Sequence, residues 1–186
     1  MPFQFVGTEI PGVVEIIPKS FPDERGYFFE NYKKSDFYNN GIKYEFVQDN
    51  TSFSQKDVVR GMHFQSPPYE QGKLVRVLYG RIIDVAVDIR VGSKTYGKWV
   101  SRVLSGQDKK MLWIPPGFAH GFLAPGESLV HYKVTKEYNK ESEGGIIYND
   151  PTVGIKWPCE RPNLSSKDLS WPTFKNFESP FSYGEW

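Results

Sequence analysis

Cysteine is almost missing from this sequence: Cys159 is the one thiol in 186 residues. A lone thiol forms no intrachain disulfide, so a disulfide-stapled secreted scaffold is excluded and a reducing cytoplasm is the expected setting. Long hydrophobic runs are missing as well. No stretch approaches the roughly 20 apolar residues of a membrane span, so no membrane partner is expected. The opening MPFQFVGTEIPGVV lacks a basic leader followed by an apolar segment, and a signal peptide is not expected. Nor is there an excess of one charge: 23 Lys and Arg face 22 Asp and Glu, for a net charge of +1. That balance argues against a bulk electrostatic binder of nucleic acid while permitting a local basic pocket. Histidine is scarce too, limited to His63, His120 and His131.

What the chain has instead is aromatic bulk, 16% Phe, Tyr and Trp, interspersed with 17 Gly and 14 Pro. Aromatic and β-branched stretches between frequent turn formers predict an all-β sandwich or barrel. From Arg81 to Arg90 the sequence RIIDVAVDIR alternates with period 2. Ile83, Val85, Val87 and Ile89 share one face, and Asp84, Ala86 and Asp88 the other, which predicts a strand with one buried face. Upstream, Val75 and Val77 share a parity and Tyr79-Gly80 can turn the chain, so residues 73 to 90 read as a hairpin. MLWIPPG, SLVHYKVT and GGIIYND are further short strands. One short helix is expected within residues 28 to 41, ended by Asn39-Asn40-Gly41.

No repeat or low-complexity stretch divides the chain, and its length suits one domain with its own core. From about Pro151 the composition turns to Pro, Ser, Lys and Trp. This tail is expected to wrap the barrel and to form a short helix near residues 165 to 169. Trp157, Trp171 and Trp186 argue against disorder, because disordered segments are poor in aromatics.

His63 lies in RGMHFQ, with Arg60 three residues before it and Lys73 ten after. Its plain structural role is a hydrogen-bonded barrel histidine; if the two strands pair, a base and two cations share one cavity. His120 ends the pattern P-x-G-x-x-H in PPGFAHGF, which resembles the second motif of cupin barrels. Residues 61 to 80, with His63 and Glu70, resemble the first motif more loosely. A metal-binding cupin carries H-x-H there, but this chain has Gln65 at the second position. At most His63, Glu70 and His120 remain as ligands, which favours a metal-free site without forbidding a metal. His131 and Tyr132 are neighbours, so only one of them points inward. Tyr138, at an even spacing from Tyr132, would share its face if the strand ran that far; the plain alternative is a pair of core aromatics.

Taken in order from about residue 5 to 172, DERGYFFE, FVQDN, RGMHFQ, QGKLVRVLYGRIIDVAVDIR, PPGFAHGF, YKVTKEY and SSKDLSW resemble the dTDP-4-dehydrorhamnose 3,5-epimerase family. The resemblance implies a cupin jelly roll with short peripheral helices. It also implies a metal-independent homodimer that needs no cofactor and acts on dTDP-4-dehydro-6-deoxyglucose in dTDP-rhamnose synthesis.

That chemistry removes a proton next to the C4 ketone and returns one on the opposite face. It needs a base working near neutral pH, a cation or donor for the enolate oxygen, and an opposed acid. By resemblance, His63 is the base, Asp168 its carboxylate partner, Lys73 the enolate cation and Tyr132 the proton donor. Arg60 matches the pyrophosphate position, a task suited to a guanidinium. Gln48 and Asn50 match base and sugar contacts, Tyr138 the residue stacked on thymine, and His120, Glu143 and Lys167 further substrate contacts. Arg25 and Glu30 match residues that reach in from the partner subunit. For Arg25, Glu30 and Glu143 the plain alternative is a surface or interface ion pair. Three rival functions remain: an epimerase acting at C3 or C5 alone or a related ketoisomerase, a metal-dependent cupin enzyme, and a non-catalytic sugar-binding barrel.

Overall fold

Turn formers cut the chain into short strands in the computed structural model, which describes residues 2–184; Trp186 lies outside these described residues. In chain order the strands begin with β1 (Phe3–Gly7), β2 (Val14–Pro18), β3 (Ser20–Asp23) and β4 (Gly26–Phe29). After helix α1 (Lys34–Asn39) come β5 (Gln48–Ser54), β6 (Val58–Gln65), β7 (Lys73–Tyr79) and β8 (Arg81–Asp88). The rest are β9 (Trp99–Ser105), β10 (Met111–Ile114), β11 (Phe118–Ala124), β12 (Ser128–Val134) and β13 (Glu143–Gly145). A six-stranded sheet ordered β1-β2-β10-β7-β12-β5 faces a five-stranded sheet ordered β13-β6-β11-β8-β9, while β3 and β4 form a separate hairpin. All pairings between these strands are antiparallel. The fold is the expected all-β jelly-roll barrel. Among the described residues no helix is long and apolar enough to cross a membrane.

Three apolar layers hold it together. Val75, Val77, Ile82, Ala86, Leu112, Ile114, Phe122 and Val130 fill the space between the sheets. Phe37 and Ile42, from α1 and the loop after it, cover Leu74, Met111 and Trp113 on the back of the larger sheet. On the back of the smaller sheet, Val85, Val87 and Ile89 pack against Val153 and Phe181, with Trp157, Phe174 and Phe177 at the margin. Tail residues from Val153 to Phe181 thus cover the back of the smaller sheet. Fully burying a side chain such as Phe181 is worth about 1.5–3 kcal/mol, which explains why an aromatic-rich tail stays docked.

Three local expectations need correction. Residues 73 to 90 are not a hairpin: β7 pairs with β10 and β12, whereas β8 pairs with β9 and β11. At Gly80 the chain crosses from one sheet to the other with φ of +76°, and a Cβ there would meet the Glu127 carbonyl oxygen at 2.1 Å. Apolar residues from opposite walls thereby meet in one interior. The face of β8 is also reversed. Ile83, Val85, Val87 and Ile89 point outward under the tail, while Asp84, Ala86 and Asp88 point inward, and all three are 0% exposed. Asp88 tolerates this because Arg90 Nε and Nη2 donate to its two oxygens at 2.9 and 2.8 Å, with Ser93 and Thr95 hydroxyls at 2.6 Å. A buried carboxylate needs such pairing. Finally, residues 166 to 170 form a turn, and among the described residues the short 3-10 helix of the late tail is Phe174–Asn176. Helix α1 falls inside the expected window and ends at Asn39, with Gly41 N, just past its end, donating to Tyr38 O at 3.1 Å.

Candidate active site

Residues three apart on a regular strand face opposite ways, yet Arg60 and His63 line the same cavity of about 460 Å³. A bulge achieves this. His120 of β11 pairs with His63, but Phe122, two residues on, pairs with Arg60. The surplus residue is accommodated at Gly61, where φ is +134° and a Cβ would sit 2.5 Å from Gly121 Cα. Only glycine fits that backbone contact, and an extra residue in one strand is how a sheet re-aims a side chain.

Around this cavity the two sheets and the tail each contribute chemistry. His63 Nε2 donates to Asp168 Oδ1 at 2.5 Å. Asp168 comes from the 166–170 turn, which is tightened by Asp168 N donating to Ser165 Oγ at 3.1 Å. Burial opposes ionisation of Asp168, but the His63 hydrogen bond and charge outweigh it, with help from Ser165 and Lys167, and hold its carboxyl below the usual range. With Nε2 committed to the carboxylate, Nδ1 is the His63 nitrogen left to take a proton.

Lys73 opens β7 and Tyr132 lies on β12, both facing the same space. Neither the Lys73 ammonium nor the Tyr132 hydroxyl has a hydrogen-bond partner among the described residues, so both donors are open to a ligand. Burial pushes Lys73 down to about 8 against the pull of Asp84 and Glu143. Burial raises the Tyr132 phenol, opposed by Arg60 and aided by Glu143, so it keeps its proton at neutral pH. His120 Nε2 donates to Asp84 Oδ1 at 2.6 Å inside the barrel. Burial, aided by the Lys73 and His63 charges, lowers His120 despite Asp84, so the ring is neutral and its one N–H is the one given to Asp84.

A second cavity, of about 300 Å³, adjoins the first and shares His63, Lys73, Tyr132 and Glu143 with it. Gln48, Asn50 and Tyr138 line it. Strand β12 stops at Val134, so Tyr138 arrives by a loop rather than along a shared strand face, anchored by Tyr138 N donating to Gln48 Oε1 at 2.9 Å. Its hydroxyl donates to Glu143 Oε2 at 2.8 Å, and Lys167 Nζ donates to Glu143 Oε1 at 2.7 Å. Arg60 is braced at the rim, Nε on Ser54 Oγ and Nη2 on the Phe53 carbonyl, both at 3.0 Å.

This geometry gives a base with a carboxylate behind it, an unpaired ammonium and an unpaired phenol around one cavity. Comparison with known proteins gives the family. A family model for dTDP-4-dehydrorhamnose 3,5-epimerase matches residues 7–176. The chain belongs to the dTDP-4-dehydrorhamnose 3,5-epimerase family. The Salmonella typhimurium epimerase is 50% identical over 170 residues, covering 90% of this chain and 93% of that one. A Legionella pneumophila 3,5-epimerase solved in complex with dTDP-4-keto-L-rhamnose superposes with a TM-score of 0.91 at 45% identity, over 95% of each chain. The Sulfolobus tokodaii enzyme gives 0.90 at 46% identity, over 98% of this chain and 100% of that one.

Two epimerase-family positions, Arg25 and Glu30, are not brought to the cavity of their own chain. Arg25 sits at the tip of the β3–β4 hairpin, paired with Asp23 at 2.6 Å and 85% exposed. Glu30 follows that hairpin, with one carboxylate oxygen buried and unpaired. The set His63, Glu70 and His120 does not fit a metal: Glu70 lines a different cavity, beside Tyr44, Tyr69 and Lys136. Gln65 is occupied in accepting from Asn139 N at 2.8 Å. Asp84 was missed by the sequence reading, which put it on the outer face. An aspartate inside an otherwise apolar strand was the available signal, since it needs a buried partner.

Proposed function

We propose that the protein inverts C3 and C5 of dTDP-4-dehydro-6-deoxy-D-glucose to give dTDP-4-dehydro-L-rhamnose, for dTDP-L-rhamnose synthesis. His63 takes the proton beside the C4 ketone through Nδ1, and Asp168 stabilises the imidazolium that forms. The electron pair moves to O4, where the Lys73 ammonium meets the charge. Tyr132 returns a proton on the opposite face of the carbon, and both groups reset by exchange with solvent. Arg60 holds the pyrophosphate, Gln48 and Asn50 the base and sugar, and Tyr138 stacks on thymine. His120, Glu143 and Lys167 complete the contacts. No cofactor or metal takes part.

The observation that carries this reading is the one cavity lined by His63, Asp168, Lys73 and Tyr132. A sugar-binding barrel needs no such base, cation and acid together. The working form is a cytoplasmic homodimer, without nucleic-acid or membrane partners. Its support is the β3–β4 hairpin, which exposes Phe21, Tyr27 and Phe28 beside Arg25. An aromatic surface of that kind suits an interface, and docking it would carry Arg25 and Glu30 to the partner's nucleotide. The test is turnover in deuterated water followed by NMR. Deuterium at both C3 and C5 of the product is expected; exchange at one carbon alone would make this a single-site epimerase.

A further inference from the structure

The same tail segment that supplies Asp168 brings a second group to His63. The Trp171 indole stands edge to face against the imidazole, with centroids 6.1 Å apart and planes at 66°. The sheet leaves room for it. Gly145 of β13 pairs with His63, and a Cβ on Gly145 would lie 2.6 Å from the indole. The chain beyond is pinned by Ile147 N donating to Pro172 O at 2.9 Å. Trp171 Nε1 is buried and has no hydrogen-bond partner among the described residues, so packing rather than a hydrogen bond holds the ring. Trp171 is not among the residues lining the substrate cavity.

We propose that Trp171 is a positioning residue for the base: its indole fixes the His63 ring against Asp168 and keeps water from that pair on the side away from the sugar. A charge-assisted hydrogen bond gains strength where water is excluded, and its geometry sharpens when the ring cannot swivel. The proposal rests on His63 and Asp168 being the base and its partner. It adds that four residues of tail, from Asp168 to Trp171, form one clamp.

A double-mutant cycle on kcat tests it. Trp171→Ala is expected to lower kcat about 10- to 100-fold with KM changed less than about threefold, and Trp171→Phe to recover most of the loss. In an Asp168→Asn background, Trp171→Ala should cost less than about threefold, because groups acting as a unit are not additive. Equal costs in both backgrounds, or a fall in thermal stability with kcat untouched, overturn the proposal. Should Trp171→Ala not fold, Trp171→Leu keeps the apolar bulk and the cycle is run with it. If His63→Asn and Asp168→Asn both turn over normally, the base assignment fails, and the clamp with it. If those two are slow and the Trp171 cost is additive, the clamp alone fails.

Discussion

Two histidine–carboxylate pairs face each other across β6 and β11, and they differ in where the carboxylate comes from. His120 and Asp84 both belong to the barrel wall, on adjacent strands, with their side chains 9% and 0% exposed. His63 also belongs to the wall, but Asp168 arrives from a tail turn 105 residues further along, and the His63 side chain is 24% exposed. The hydrogen bonds are nearly equal, 2.6 and 2.5 Å. What separates the pairs is access. In the pair sealed in the wall, the one imidazole proton is committed to Asp84, which leaves Nδ1 of a neutral His120 as a fixed acceptor that can orient a substrate hydroxyl. A pair completed by a clamp at the cavity's edge can pick up a proton, hold the resulting cation beside its carboxylate, and release it to solvent.

The largest expected effect breaks that comparison directly. His63→Asn removes the proton acceptor and should lower kcat about 10³-fold or more. His120→Asn removes no proton acceptor for the reaction, only the bond to Asp84 and an orienting Nδ1, and should cost about 10- to 100-fold, in keeping with one lost hydrogen bond to a charged group. Rates of epimerised product formation, followed by NMR, rank the two. The reverse order, or near-normal turnover in His63→Asn, would exchange their roles.

The sequence made the two pairs unequally legible, for physical reasons. Period-2 alternation located β8 but not its inner face, because both faces of the strand are covered, one by the opposite sheet and one by the tail. In that setting an apolar parity does not mean an inward parity, and the polar side chains turn inward to partners, for Asp84 one that only the fold supplies, His120, and for Asp88 the nearby Arg90. The same ambiguity made β7 and β8 look like a hairpin. Arg60 and His63 share a cavity only through the bulge at Gly61, and no spacing rule for a regular strand would have paired them. Asp168 could be linked to His63 by family resemblance alone, since nothing local in SSKD says which strand the tail will reach. The all-β class was plain, because aromatic and β-branched stretches between Gly and Pro leave few other architectures.

A smaller effect, with a sharper signature, separates the two faces of the sugar. Tyr132→Phe removes the phenol opposed to the His63 pair and leaves the base in place. His63 then still takes a proton and can return a deuteron to the same face. The variant should exchange C3 and C5 protons with deuterated solvent while the inverting step falls about 10²–10⁴-fold, the usual range for a positioned acid. Binding should change little, because the proposed nucleotide contacts, Arg60, Gln48 and Asn50, are left in place. Inversion at the wild-type rate would end the donor role and send the search to Tyr138.

The smallest expected effect belongs to the sealed pair and is read in pH rather than in rate. Lys73 must be charged to meet O4, and burial has already brought it down to about 8. Activity should therefore fall as pH rises through about 8. Asp84 and Glu143 pull Lys73 the other way, so removing the Asp84 charge lowers it further. Asp84→Asn keeps an oxygen to accept from His120 Nε2 and removes only the charge. The alkaline limb should move to roughly pH 7, with a loss of about two- to threefold at neutral pH that grows toward pH 8. In Lys73→Arg the guanidinium stays charged throughout this pH range, so that limb should vanish and Asp84→Asn should no longer shift it. A limb that stays in place in Asp84→Asn would mean that Lys73 does not set it, and that the wall pair serves His120 alone.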